Sequence, residues 1–160
     1  MASEGRGPMN LVAVGAIRSK LNEILSNPSH AVTITFRSEK LPNSKEEKLL
    51  FASSAFSWFL HVLSDRCFGK AHRKDGRHIG VITIVEGMGR NKRMHLHLAI
   101  RSPGEMTETL FLKKINSSTR KVHSFGNIVV KPWIDNGWTD YITKEKDFEV
   151  LWEYCLSSTQ

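Results

Sequence analysis

Between Glu86 and Ile100 the chain reads EGMGRNKRMHLHLAI, and a single leucine separates His95 from His97. On a strand, residues i and i+2 share a face, so both imidazoles point one way while Met94, Leu96, Leu98 and Ile100 form an apolar face opposite. Such a pair is either an ordinary half-buried pair or two ligands of one cation. Glu86 precedes His95 by nine residues and ends the apolar run IGVITIVE. A turn through GMGRNKR would fold its carboxylate back onto the imidazoles. Two imidazoles and a carboxylate form a mixed N/O donor set suited to Mn²⁺ or Mg²⁺ and acceptable to other divalent cations. Downstream, GWTDYITKE places Tyr141 and Lys144 at i and i+3, on one face of a helix. A phenol with a pKa of about 10 is a poor nucleophile at neutral pH. A neighbouring cation and a metal-polarised phosphate would make its attack feasible. Singly, each feature has a plain alternative: core histidines, a solvated hairpin carboxylate, an interfacial tyrosine beside a surface lysine. Their combination is far more specific than its parts.

The flanking sequence predicts the elements that would position these groups. Val14, Ile17, Leu21, Ile24 and Leu25 have helical spacing, and Pro28 stops that helix. HAVTITFR alternates and is β-branched, which predicts a strand. Ser44 and Glu47 form a capping box ahead of a long helix whose buried stripe is Leu49, Ala52, Phe56, Phe59, Leu60 and Leu63 and which ends before Gly69. GKAHRKDGRH is expected to be a basic loop leading into IGVITIVE, which pairs with the histidine strand as a hairpin. SPGE suggests a second capping box, with Ser102, Pro103 and Glu105, opening a helix that runs to about Asn116. GNIVVKPW predicts a fourth strand, and the stretch from Asp135 to about Leu156 a helix in one or two pieces. Without the first helix this order is βαββαβ: an α+β, ferredoxin-like or RRM-like core, with a central antiparallel sheet, helices on one face and extra N- and C-terminal helices. The histidines would look out from the other face.

Length and composition set bounds. With 160 residues the chain has room for one well-packed domain, expected over 9–160, behind a small polar tail at 1–8. There are 23 Lys and Arg against 16 Asp and Glu, a formal charge of +7, which tilts the partner towards a polyanion such as nucleic acid. Two basic runs are candidate phosphate contacts, Lys70, Arg73, Lys74 and Arg77 in the first and Arg90, Lys92 and Arg93 in the second; the plain alternative for both is a solvated loop. Cys67 and Cys155 have no CxxC spacing, so neither a disulfide framework nor a cysteine zinc site is supported, as suits a reducing compartment. No stretch of about 18 consecutive apolar residues exists, and no secretory signal is visible. His72, His78 and His123 have no partner pattern and are expected at the surface. Trp133 and Trp138 are expected to pack the tyrosine helix rather than stack on bases.

With TITF on the first strand, Glu86 and HLHLAI on the hairpin, and YITKE on a following helix, the chain resembles the HUH endonuclease superfamily. Within it, the likeness is to the single-tyrosine rolling-circle replication initiators (Rep proteins) of small circular DNA viruses, phages and plasmids. It covers roughly Ala31 to Glu145. The resemblance implies a nickase that attacks the scissile phosphorus through Tyr141, leaves a 5′-phosphotyrosine and a free 3′-hydroxyl, and later rejoins strands without ATP. It also implies a metal held by Glu86, His95 and His97, with Lys144 adding positive charge beside it. The implied partners are single-stranded origin DNA, which a hairpin loop can present, a separate helicase and the host polymerase. The implied setting is a bacterial cytoplasm or, for a eukaryotic virus, the host nucleus. Related families fit less well. Conjugative relaxases place the tyrosine before the histidines, single-tyrosine transposases usually carry glutamine where Glu145 stands, and an HxHxD hydrolase would need an acid at Ala99. TITF departs from the Asn-rich first motif of many viral initiators, and no GxxxxGK[ST] stretch supplies an ATPase. A transposase-like strand-transfer enzyme and a non-catalytic single-strand-binding module are the competing expectations.

Overall fold

Alternating burial along HAVTITF marks strand β1 (His30–Phe36), buried at every second position as a pleated strand with one well-covered face requires. The computed structural model describes residues 11–134, 137 and 147–157. Helix α1 (Leu11–Ile24) precedes β1. The capping box forms as the sequence predicts. The Ser44 side chain accepts from the Glu47 N–H, the Glu47 carboxylate accepts from the Ser44 N–H, and α2 (Lys45–Phe68) follows. Beyond it come α3 (Lys70–Asp75), β2 (Gly80–Glu86), β3 (His95–Arg101), α4 (Glu108–Thr119), β4 (Phe125–Pro132) and β5 (Phe148–Val150).

The strands lie in the order β4-β1-β3-β2-β5, and every neighbouring pair is antiparallel. The first four strands thus have the 4-1-3-2 order of a ferredoxin-like α+β core, with β5 added at the free edge of β2. On one sheet face Val32, Ile34, Phe36, Val85, Leu96, Leu98 and Ile100 pack with Phe56, Phe59 and Leu63 of α2 and Phe111 and Ile115 of α4. Each such side chain taken fully out of water contributes roughly 1.5–3 kcal/mol.

Four expectations need correction. The basic loop contains α3, a short polar helix closed by Gly76 at φ 68°, whose N–H reaches the carbonyls of Ala71 and His72. Six residues without an apolar stripe carry no periodic signal. Helix α4 is capped by Thr107, not Ser102, and extends to Thr119. The Ser102 N–H is already bonded to Ser29 Oγ at 2.8 Å, which holds that residue beside the sheet. The expected C-terminal helix is absent from 148–156, where β5 and a 3₁₀ turn at Trp152–Tyr154 stand instead. Phe148, Leu151, Trp152 and Cys155 mimic a helical period, but the bare edge of β2 offers a ladder of backbone partners. Residues 135–136 and 138–146 of that stretch lie outside the described residues. Finally, the second sheet face is open only in part. Leu21 and Leu25, on and just after α1, cluster there with Ile82, Ile84, Ala99 and Phe148. No described helix is long and apolar enough to cross a membrane.

Candidate metal centre

Glu86 ends β2 and His95 begins β3, and the two are direct cross-strand partners; His97 stands opposite Ile84. Register alone therefore puts one carboxylate and two imidazoles on the same face. Glu86 Oε2 lies 3.0 Å from His95 Nε2 and 2.8 Å from His97 Nε2. The three donor atoms all fall within 4.8 Å of one another. The imidazole rings are nearly perpendicular, with centroids 4.6 Å apart. Side-chain exposure grades across the cluster, from 7% at His97 through 12% at Glu86 to 25% at His95, so solvent enters from the His95 side.

The surrounding groups orient the ligands. His95 Nδ1 lies 2.9 Å from the Arg93 carbonyl, which can only accept; the ring proton is therefore on Nδ1, and Nε2 faces Glu86. His97 Nδ1 lies 3.2 Å from Thr33 Oγ1 on β1, its direct neighbour across the sheet. Outer contacts of this kind fix ring tautomers and raise ligand basicity in metal sites. Gly87 makes the first of them possible. Its φ is 76°, and a Cβ there would sit 2.2 Å from the Arg93 carbonyl oxygen. The turn is tied down further by the Gly89 N–H to Asp147 Oδ2 at 3.1 Å and by Lys48 Nζ to the Met88 carbonyl at 3.2 Å.

Electrostatics favour a cation here. A neutral His95 protonated on Nδ1 aims its Nε2 lone pair at a carboxylate oxygen, and the same oxygen also meets His97. A positive charge, proton or metal, would relieve the lone-pair contact between His95 and the carboxylate. Burial pushes the His97 pKa down from its ordinary 6.5; His95 adds to this, and Glu86 pulls the other way. The lowered pKa favours the neutral form of His97, the form in which an imidazole can ligate. The mixed donor set, two imidazoles and one carboxylate, could hold a divalent metal ion.

A pH dependence follows. Because the folded-state pKa of His97 lies below the ordinary 6.5, the unfolded chain takes up the proton first as pH falls, and stability at this position declines below that value. Protons also compete directly with the metal. The rise in Tm on adding Mn²⁺ should be full at about pH 7.5 and shrink towards zero by about pH 5. Paired melting curves with and without Mn²⁺ check this, and a constant difference across that range would count against ligation by the imidazoles.

The other sequence-predicted residues are dispersed. Arg90, Lys92 and Arg93 are exposed on the turn at the metal end. Lys70, Arg73 and Lys74 are exposed on α3, and Arg77 just beyond it is half-buried. This first run enters β2 at its opposite end, six residue steps or about 20 Å from Glu86. Arg73 is paired with Asp65 at 2.9 Å. His72 is half-buried, with Nδ1 on the Arg77 carbonyl at 2.7 Å, rather than a bare surface group. Trp133 packs against the α1 cluster. Tyr141, Lys144 and Trp138 lie outside the described residues. Tyr154, the second tyrosine, packs edge-on to Phe56 with centroids 5.6 Å apart, on the helix-covered face. Sequence reasoning missed Thr33, Gly87, Asp147 and the Arg93 carbonyl. Thr33 could have been found by aligning TITF with HLHLAI in antiparallel register; a backbone carbonyl leaves no sequence signal.

Comparison with family models, with curated proteins and with solved structures returns no match to this chain.

Proposed function

We propose that this chain is a metal-dependent endonuclease that nicks and rejoins single-stranded DNA through a tyrosine and so initiates rolling-circle replication. The observation that carries the reading is the Glu86, His95, His97 cluster, with its donor atoms within 4.8 Å, on a central hairpin of a 4-1-3-2 sheet. The described chain on either side of the tyrosine segment is consistent with it. Trp133 packs on the histidine face, and Phe148, seven residues after Tyr141, pairs with Glu86. Seven residues reach at most about 25 Å, so Tyr141 is within chain reach of the site.

Glu86, His95 and His97 would hold Mn²⁺ or Mg²⁺. A bound divalent cation supplies Lewis-acid polarisation of a phosphate oxygen. In the proposed reaction the Tyr141 oxygen loses its proton and bonds to phosphorus, and the bond from phosphorus to the 3′ oxygen breaks, releasing a 3′-hydroxyl. Lys144 would stabilise negative charge on the phosphate or the phenolate. The phosphodiester energy is retained in the phosphotyrosine, so attack by a 3′-hydroxyl reseals the strand. Incubating the protein with labelled random single-stranded oligonucleotides and Mn²⁺ tests this. A covalent adduct to the 5′-phosphate of one fragment, with release of the other fragment bearing a free 3′-hydroxyl, is expected, whereas binding without cleavage would favour a non-catalytic module.

The basic turn next to the cluster is suited to positioning the backbone. Replacing Arg90, Lys92 and Arg93 together with alanine should flatten the log–log slope of single-strand affinity against salt by roughly 0.7 per lost contact. The loss should be alike for target and non-target oligonucleotides, because phosphate contacts carry little sequence information. An unchanged slope for both would retire the turn as a contact.

A further inference from the structure

A cavity of about 570 Å³ lies at the far end of the sheet from Glu86, between the C-terminus of α2, the chain entering β2 and the turn after β3. Its size falls within the range that accepts small organic ligands. Two arginines line it, Arg77 and Arg101. The Arg77 guanidinium lies 4.8 Å from the centroid of the Phe68 ring, and its Nε is buried with no hydrogen-bond partner. Native structures rarely leave a buried charged donor bare unless something else satisfies it. Arg101 is exposed, and among the described residues neither arginine makes an ion pair.

The rest of the lining narrows the ligand. Met106 and Leu110 form an apolar wall, and Leu110 is 46% exposed despite its size. Glu105 also lines the cavity. A carboxylate in the same lining opposes a bare phosphate but suits a ligand that brings a hydrogen-bond donor together with its anion. Arginine forks match phosphate oxygens, apolar side chains accept a flat ring, and a carboxylate accepts from an exocyclic amine.

We propose that this cavity is a nucleotide-binding site, with phosphate on Arg77 and Arg101, the base against Met106 and Leu110, and its amino group on Glu105. Because it lies about 20 Å along β2 from Glu86, it shares no ligand with the metal centre and stands whether or not that centre cleaves DNA. The same chemistry can arrive as a free mononucleotide or as one unit of a bound single strand.

Calorimetric titration of the full chain with dCMP, dTMP, inorganic phosphate and a short oligodeoxycytidylate tests it, on the parent and on Arg77→Gln, Arg101→Gln and Glu105→Gln. Binding of dCMP or of the oligonucleotide should weaken about tenfold or more in each arginine variant. Glu105→Gln should narrow the preference for dCMP over dTMP. The Mn²⁺-induced rise in Tm should be unchanged in all three. A loss confined to dCMP identifies the free nucleotide as ligand, and a loss shared by the oligonucleotide identifies a strand. Should Arg77→Gln fail to fold, Arg101→Gln decides, since that side chain is exposed. The proposal is overturned if the parent binds neither probe, if inorganic phosphate binds as tightly as dCMP, or if the folded variants bind like the parent.

Discussion

His97→Ala should erase the protein's response to Mn²⁺ and reduce metal-dependent cleavage by about a hundredfold or more, since losing even an outer-shell partner of a metal ligand typically costs 10–100-fold. In the parent, stabilisation by a ligand that binds only the folded state follows RT ln(1 + [L]/Kd), about 2.7 kcal/mol at a hundred times Kd. It should therefore climb with the logarithm of metal concentration. The variant keeps Glu86 and His95 but loses the donor 2.8 Å from the carboxylate. His97 is buried yet lies outside both apolar clusters, so the metal-free variant should stay folded and lose less than about 3 kcal/mol. Melting temperature measured across a Mn²⁺ series, alongside circular dichroism without metal, reads both effects. A variant that responds to Mn²⁺ like the parent would remove His97 from the ligand set.

Tyr141→Phe should abolish the covalent DNA adduct while leaving single-strand affinity near the parental value, and strand cleavage should fall at least about a thousandfold. The substitution removes one oxygen and keeps the ring, so a tyrosine that only packs would tolerate it. The alternative nucleophile is restricted by its surroundings. The Tyr154 ring contacts Phe56 on the helix-covered face, whereas His95 and His97 belong to the other. Denaturing electrophoresis followed by peptide mapping of the adduct is the measurement. An adduct that persists in Tyr141→Phe and maps to Tyr154 would overturn the assignment.

What was legible in the sequence depended on how local the signal was. Ser44 and Glu47 announce the start of α2 within four residues, and Ala52, Phe56, Phe59 and Leu63 repeat often enough to define its buried face. The hairpin and its His-x-His face follow from alternation alone, and pairing Glu86 with His95 needs only a short turn. Elements whose identity is decided by distant partners were misread. β5 owes its existence to the edge of β2, 62 residues earlier at the Glu86–Phe148 pair. Ser102 has good capping chemistry but is held by Ser29 from another strand end. The cover that α1 gives the second face depends on Ile82 and Ile84, whose alternation says that they are buried but not against what.

Gly87 has a thermodynamic consequence. A glycine loses more backbone freedom on folding than any other residue, roughly 0.5–1 kcal/mol relative to alanine in a regular element. Here that loss is incurred when the hairpin closes, and closure brings up the Arg93 carbonyl that holds His95 Nδ1. The imidazole is thus aligned before any cation arrives, so little ordering entropy is subtracted from metal affinity. The centre is preorganised: part of the free energy that could have stabilised the fold is held as readiness to bind. A side chain at position 87 would displace the Arg93 carbonyl and with it the support of His95 Nδ1, with all three candidate donor residues still in the chain.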